Sequence, residues 1–264
     1  MKKVIYPVED GGAPIVNEIL IGLIQEQNFL QAEAMLQGMT GGRPCVITGC
    51  VGSDGGSGTT NISEGYVWLD GRVRKFNGAT ALSTPCWLKS GANTITSASS
   101  ETGSSFFDTS DPDYVVEHTV TAVNSDPGDI DKIKYSPMTY QELFPTWHLI
   151  GQTGEPAFEN SFGNMGGGDV TKFRKWLNGD LDIILTCAKT GFVGGGVDVF
   201  ILPEDACPEW SSIHPIICTI PDVRLGRLNV NNAGSGGNIS VELYDETGVP
   251  MSIGFAYVRV RIPG

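Results

Sequence analysis

Histidine is scarce, three in 264 residues, and the arrangements that nucleophilic catalysis needs are missing. Neither Gly-x-Ser-x-Gly nor His-Glu-x-x-His occurs, and His118, His148 and His214 lie in unrelated contexts, so the chain offers no recognisable triad or zinc-protease site. Cysteine numbers six, at 45, 50, 86, 187, 207 and 218, with no Cys-x-x-Cys pair and far below the density of a disulfide scaffold. Cys45 and Cys50 lie close together but lack a second ligand pair, which argues against zinc. Cys187 and Cys218 fall inside apolar runs and read as small buried hydrophobes, and reduced thiols fit a protein assembled inside a cell. Basic charge is thin as well: 17 Lys and Arg against 30 Asp and Glu leave a net charge of -13. Sequence-independent nucleic-acid binding depends on clustered cations that neutralise phosphates, so that class is excluded, and Arg72, Arg74 and Lys75 read as a solvated strand face. No apolar run approaches the ~20 residues of a membrane-spanning helix; the most apolar, Ile19 to Ile24, contains Gly22 and is flanked by Asn17, Glu18 and Gln25. Near the N-terminus, Pro7, Glu9 and Asp10 interrupt before a signal-peptide core can develop, and no secretion leader is expected.

Glycine is abundant, with 35 residues and no Gly-X-Y period. The runs Gly166 to Gly168 and Gly194 to Gly196 lack the Lys-Ser/Thr and the helix that follow a phosphate-binding loop, and read as turns. Two acidic clusters, Asp108/Asp111/Asp113 and Asp126/Asp129/Asp131, carry oxygens close together. Calcium takes about 6 to 8 oxygen ligands, and Pro112 and Pro127 interrupt the clusters, so they read as loops. No metal or cofactor is expected.

Short runs of Val, Ile, Leu and Phe separated by Gly, Asn, Asp and Pro indicate strands joined by tight turns, a mainly β chain. Val16, Leu20, Leu23, Gln27, Leu30 and Ala34 follow steps of four and three, which predicts a helix over about Ile15 to Gln37, ended by Gly38 and the Gly41-Gly42 pair. That helix either lies on a neighbouring surface or associates with its own copies. Val46-Ile47 predicts a short strand, and Gly-Ser-Asp-Gly-Gly-Ser-Gly at 52 to 58 a loop. Tyr66 to Leu69 and Arg72 to Phe76 flank Asp70-Gly71, a strong hairpin signal. Trp87-Leu88, Asn93 to Thr96 and Tyr114 to Val123 supply further strand candidates. The organisation expected is an arm and helix over 1–42 for attachment or oligomerisation, a small β-domain over 43–125, a Pro-bearing connector over 126–155 and a C-terminal antiparallel β-sandwich over 156–264. Trp176 and Trp210, the latter beside Glu209, are the candidates for stacking on sugar C–H faces or on a partner protein.

The terminal stretch carries an ordered set of marks: Ala157-Phe158-Glu159-Asn160-Ser161-Phe162-Gly163-Asn164, then Phe173-Arg174-Lys175, Gly179-Asp180-Leu181-Asp182-Ile183, Val199-Phe200-Ile201-Leu202-Pro203 and Ser252-Ile253-Gly254-Phe255. In this order it resembles the β-sandwich head domain at the end of many tailed-bacteriophage tail-fibre and receptor-binding proteins, over about 156 to 262. It departs at Cys207-Pro208, where such domains often carry Arg-Pro. The block Ile47 to Cys50 with Ile62 to Gly71 is similar to a module near the N-terminus of phage and prophage tail proteins. The resemblance implies a non-enzymatic virion tail protein, a homotrimer assembled in the host cytoplasm, whose partners are tail or baseplate proteins and host-surface polysaccharide, with neither nucleic-acid binding nor membrane insertion. Two other readings stand beside it: a tail adaptor that docks other fibre proteins without touching the host, and a glycan hydrolase with paired carboxylates in a cleft.

Overall fold

The computed structural model describes residues 17–92, 94–97, 114–166, 170–193, 195–218, 224–244 and 251–264. The chain is mainly β, with several antiparallel sheets and one α-helix among the described residues. Helix α1 spans Asn17–Thr40. Gly38 is absorbed inside it; the stop comes at Gly41 and Gly42, both at positive φ, as glycine-terminated helices require. Leu30, Met35 and Met39 are exposed, so this part of the helix presents apolar side chains that its own chain does not cover.

The central module follows as β1 (Cys45–Gly49), β2 (Gly52–Gly56), β3 (Thr59–Ile62), β4 (Gly65–Leu69), β5 (Arg72–Phe76), β6 (Ala79–Ser83), β7 (Cys86–Ser90), β8 (Thr94–Ser97), β9 (Tyr114–Glu117), β10 (Val120–Val123) and β11 (Lys132–Tyr135). Its sheets run β1-β4-β5, β2-β3-β6, β10-β7-β11 and β8-β9. Asp70 and Gly71 form the predicted hairpin turn between β4 and β5, both at positive φ, the primed geometry that matches strand twist. The segment expected to be a loop at 52 to 58 is a hairpin instead: β2 pairs β3 through Ser57-Gly58, again both at positive φ. Backbone pairing and turn chemistry, with no apolar side chain in β2, make that strand. The run Tyr114 to Val123 divides at His118-Thr119 and sends β9 and β10 to different sheets. Val46, Ile62, Val67, Leu69, Phe76, Leu88, Ile133 and Tyr135 build one core.

The sandwich contains β12 (His148–Leu149), β13 (Gly163–Asn164), β14 (Lys172–Lys175), β15 (Leu181–Phe192), β16 (Val197–Ile201), β17 (Ser212–Cys218), β18 (Arg224–Val230), β19 (Asn238–Leu243) and β20 (Met251–Ile262). One sheet runs β12-β14-β15-β13 with β20 along the other side of β15; the second runs β16-β19-β18-β17. Phe173, Leu181, Ile183, Leu185 and Phe255 of the first meet Val199, Leu228, Val230, Ile239 and Val241 of the second in one core. Each such side chain, fully buried, contributes roughly 2 kcal/mol.

Residues 126–155 give a strand to each module and stitch the two. Val46 N–H donates to Gln141 O at 2.8 Å and Leu143 N–H to Val46 O at 2.9 Å, extending the edge at β1, while the adjacent Tyr140 enters the sandwich core.

Candidate functional site

Strand β15 is buried on both faces from Leu181 to Cys187, and one row of charges crosses its outer face at Asp182. Asp182 pairs in register with Arg174 of β14 on one side and with Arg261 of β20 on the other, so three cross-strand neighbours lie side by side on the sheet's outer face. Asp182 is fully buried; its Oδ2 accepts from Arg174 Nε at 3.1 Å, Arg174 Nη2 at 3.0 Å and Trp176 Nε1 at 3.0 Å. Burial alone would raise its pKa, but the Trp176 and Arg174 bonds and the guanidinium charges win and hold the carboxyl below its usual range. The Arg174 guanidinium lies 4.4 Å from the ring centroids of both Trp147 and Trp176, and that of Arg261 lies 5.4 Å from Trp176, contacts worth roughly 0.5 to 2 kcal/mol each. Trp176, a candidate for stacking on a sugar or on a partner protein, is half-buried and held by Asp182, Arg174 and Arg261.

Trp176 lines a cleft of about 430 Å³ at the junction of the two modules. Helix α1 delivers Arg43 just beyond its end, β11 delivers Lys134, β14 delivers Lys175, and the tight turn between β14 and β15 delivers Trp176 and Gly179. The turn is closed by Trp176 N–H to Asp180 O at 2.7 Å and Gly179 N–H to Trp176 O at 2.8 Å. Lys134 Nζ bonds Asp205 Oδ1 at 2.8 Å across the junction, and Arg43 Nη1 donates to Leu177 O at 2.7 Å. Lys175 Nζ donates to the carbonyls of Asp205 and Cys207 at 2.8 and 3.0 Å. Its burial lowers the ammonium pKa, an effect that the nearby Cys207 and Asp205 oppose.

Trp210 and Glu209 lie elsewhere and do not line this cleft. Trp210 is 72% exposed; Glu209 is exposed too, its carbonyl accepting from Asn232 Nδ2 at 3.3 Å. Arg174, Lys175 and Asp182 fall within the marks read from sequence, but neither the row Arg174–Asp182–Arg261 nor the lysines at 134 and 175 were singled out as a site, because register, and not spacing along the chain, brings them together.

Histidines remain dispersed. His148 stacks on Phe173 with centroids 5.0 Å apart and sits 3.3 Å from Glu155. His118 meets Arg72 at 2.8 Å. His214 Nε2 lies 2.9 Å from Ser212 Oγ on the same strand, and no carboxylate bonds that ring among the described residues. All six cysteine side chains are buried, and burial pushes the Cys45, Cys50 and Cys187 thiols up to about 12 and that of Cys86 to about 11. Among the described residues no three His, Cys, Asp or Glu side chains gather as a metal site. Asp126 is engaged by Lys132 and Asp129 by Lys89, while Asp108, Asp111 and Asp113 lie outside the described residues. No helix described is long and apolar enough to cross a membrane. No protein-family model, curated protein or solved structure matches the chain.

Proposed function

We propose that this chain is a structural protein of a bacteriophage tail, a short tail fibre or receptor-binding protein, in which three copies associate through their sandwiches and the assembled heads grip a host-surface glycan. The observation that carries the reading is the outer face of the second sheet. Ile217 of the edge strand β17 pairs directly with Leu225 of β18, the two being 48% and 66% exposed, and Ile213 and Tyr244 add 64% and 61%. Tyr244 N–H bonds Leu225 O, so its side chain extends the same apolar region. An edge strand carrying exposed apolar residues is a liability that proteins cover, and a second copy of this chain offers the same face in return. The exposed apolar residues of α1 support the same arrangement, and the resemblance of residues 156 to 262 to phage head domains supplies the copy number and the setting. Linked heads raise avidity without strengthening any single contact, which suits weak sugar sites such as an exposed Trp210 beside Glu209.

The test is adsorption. Purified full-length protein, fluorescently labelled, should bind host cells and compete with intact tails for them. An oligomer that binds no cells while the intact tail still adsorbs would instead make the chain an adaptor between tail proteins, and release of reducing sugar from host polysaccharide would make it a hydrolase.

A further inference from the structure

We infer that the cleft beside Trp176 binds an acidic sugar, a carboxylated or phosphorylated residue of a surface polysaccharide; this rests on the attachment reading above and names the ligand class. Three cations line the cleft, Arg43, Lys134 and Lys175, against the single carboxylate of Asp205. Only Lys134 uses that carboxylate in an ion pair. Arg43 donates to a carbonyl, and Lys175 to two carbonyls, so both bring full charges to the junction without an ion-pair partner among the described residues. Burying a cation is costly, and the lowered ammonium pKa of the half-buried Lys175, which Cys207 and Asp205 only partly oppose, reports that cost; Arg43 is exposed at the mouth of the cleft. An anion in the cleft would offset that cost.

The remaining features fit a sugar. At about 430 Å³ the cleft lies in the range of small-ligand sites and holds one or two pyranose rings. Trp176, Tyr140 and Leu177 supply apolar wall for ring C–H groups, and Gln141 fixes that wall, its Oε1 accepting from the Lys134 main-chain N–H and its Nε2 donating to the Pro44 and Lys132 carbonyls. Four further cations, Lys172, Arg174, Arg259 and Arg261, flank Trp147 or Asp182 on the adjoining sheet face against Asp180 and Asp182. Of these four, Lys172, Arg174 and Arg261 lie over the Trp147 or Trp176 rings, a local concentration of cations in a protein of net charge -13. That net charge repels polyanions at long range, whereas salt screens beyond about 10 Å at 0.1 M, so capture falls to the local cleft. Arg43 and Lys134 come from the central module and Lys175 and Asp205 from the sandwich, so a ligand there would also brace the junction.

Calorimetry on the full-length protein with oligogalacturonate, glycerol-phosphate oligomers and neutral dextran oligomers tests this, and the first two arms separate carboxylate from phosphate. Expected is binding of one or both anionic oligomers, weakened by high salt, and no binding of dextran. Arg43→Gln and Lys175→Gln should each weaken the anionic ligand roughly tenfold or more, since a hydrogen bond to a charged group is worth about 1.5 to 3 kcal/mol. Lys189→Gln, whose ammonium contacts Asn160 O outside the cleft, should leave binding unchanged. Arg43 makes a single side-chain bond, so its variant remains a fair test should Lys175→Gln misfold. Failure of every anionic oligomer to bind, dextran binding as well as the anions, or undiminished affinity in Arg43→Gln would overturn the inference. If the protein still adsorbs to cells in those cases, the attachment reading stands; absence of cell binding removes that reading itself.

Discussion

Asp182 is the residue on which the outer face of the first sheet turns. Its Oδ2 accepts from Trp176 and Arg174, while Arg261 Nε lies 3.9 Å from Oδ1, an atom without a hydrogen bond. Asp182→Asn removes the charge and leaves the half-buried Arg174 guanidinium without its carboxylate, so a loss of about 1 to 3 kcal/mol is expected in urea denaturation at neutral pH. The pH dependence follows from a folded pKa held below the unfolded value of about 3.9. Stability from Asp182 is fully present above that unfolded value and disappears as pH falls through the lower folded one, since the unfolded chain then takes up the proton more readily. The melting temperatures of wild type and Asp182→Asn should therefore converge as pH drops below about 4. A gap of constant size down to strongly acidic pH would contradict this. The thiols give a second residue-scale prediction: with every cysteine buried and four of the six thiols pushed up to about 11 or 12, DTNB should label none of the six rapidly in the native protein and all of them after unfolding. The apolar contexts of Cys187 and Cys218 made their burial legible in the sequence. The roles of Trp176 and Asp182 were not, because a cross-strand row depends on how three strands distant in sequence come into register.

At the scale of elements, turn chemistry was the most legible signal. Asp70-Gly71 gave the β4–β5 hairpin outright, whereas Gly-Ser-Asp-Gly-Gly concealed β2 because a strand without apolar side chains has no periodicity to read. The single run Tyr114 to Val123 hid a break that no proline or glycine marks. Two glycines separate the kinds of constraint at work. Gly71 sits at φ +66 with nothing within 4 Å of an added Cβ, so Gly71→Ala incurs backbone strain alone, roughly 1 to 2 kcal/mol. Gly226 of β18 has no such φ, but a Cβ there would lie 2.5 Å from Glu242 O and 2.9 Å from Leu243 Cδ2, atoms of the adjacent strand. Gly226→Ala should cost about 3 kcal/mol, as overpacking against backbone does, and urea midpoints should rank it well below Gly71→Ala. Equal midpoints would mean that β18 and β19 approach less closely than described.

Across the whole molecule, two cores are joined by a segment that pairs with β1 at one residue and buries Tyr140 in the sandwich at the next. Its strands β11 and β12 are only four and two residues long, too short to announce themselves among prolines, which is why the stretch read as a plain connector. The mainly β class was legible throughout, since short branched runs between turn residues leave few alternatives. The faces left uncovered by one copy, Ile217 and Leu225 on the sandwich and Leu30, Met35 and Met39 on α1, were not, because sequence does not say which apolar residues stay outside. The proposed association rests on them. Replacing Ile217 and Leu225 with Asp should cost the monomer only about 1 to 2 kcal/mol, since two like charges then face each other across β17 and β18, while dissolving the assembly. The mass of the full-length protein in solution, by light scattering, tests the central claim most directly: wild type should weigh about three times its 28.2 kDa chain and Ile217→Asp/Leu225→Asp a single chain. A wild-type protein that remains one chain at every concentration would contradict the account.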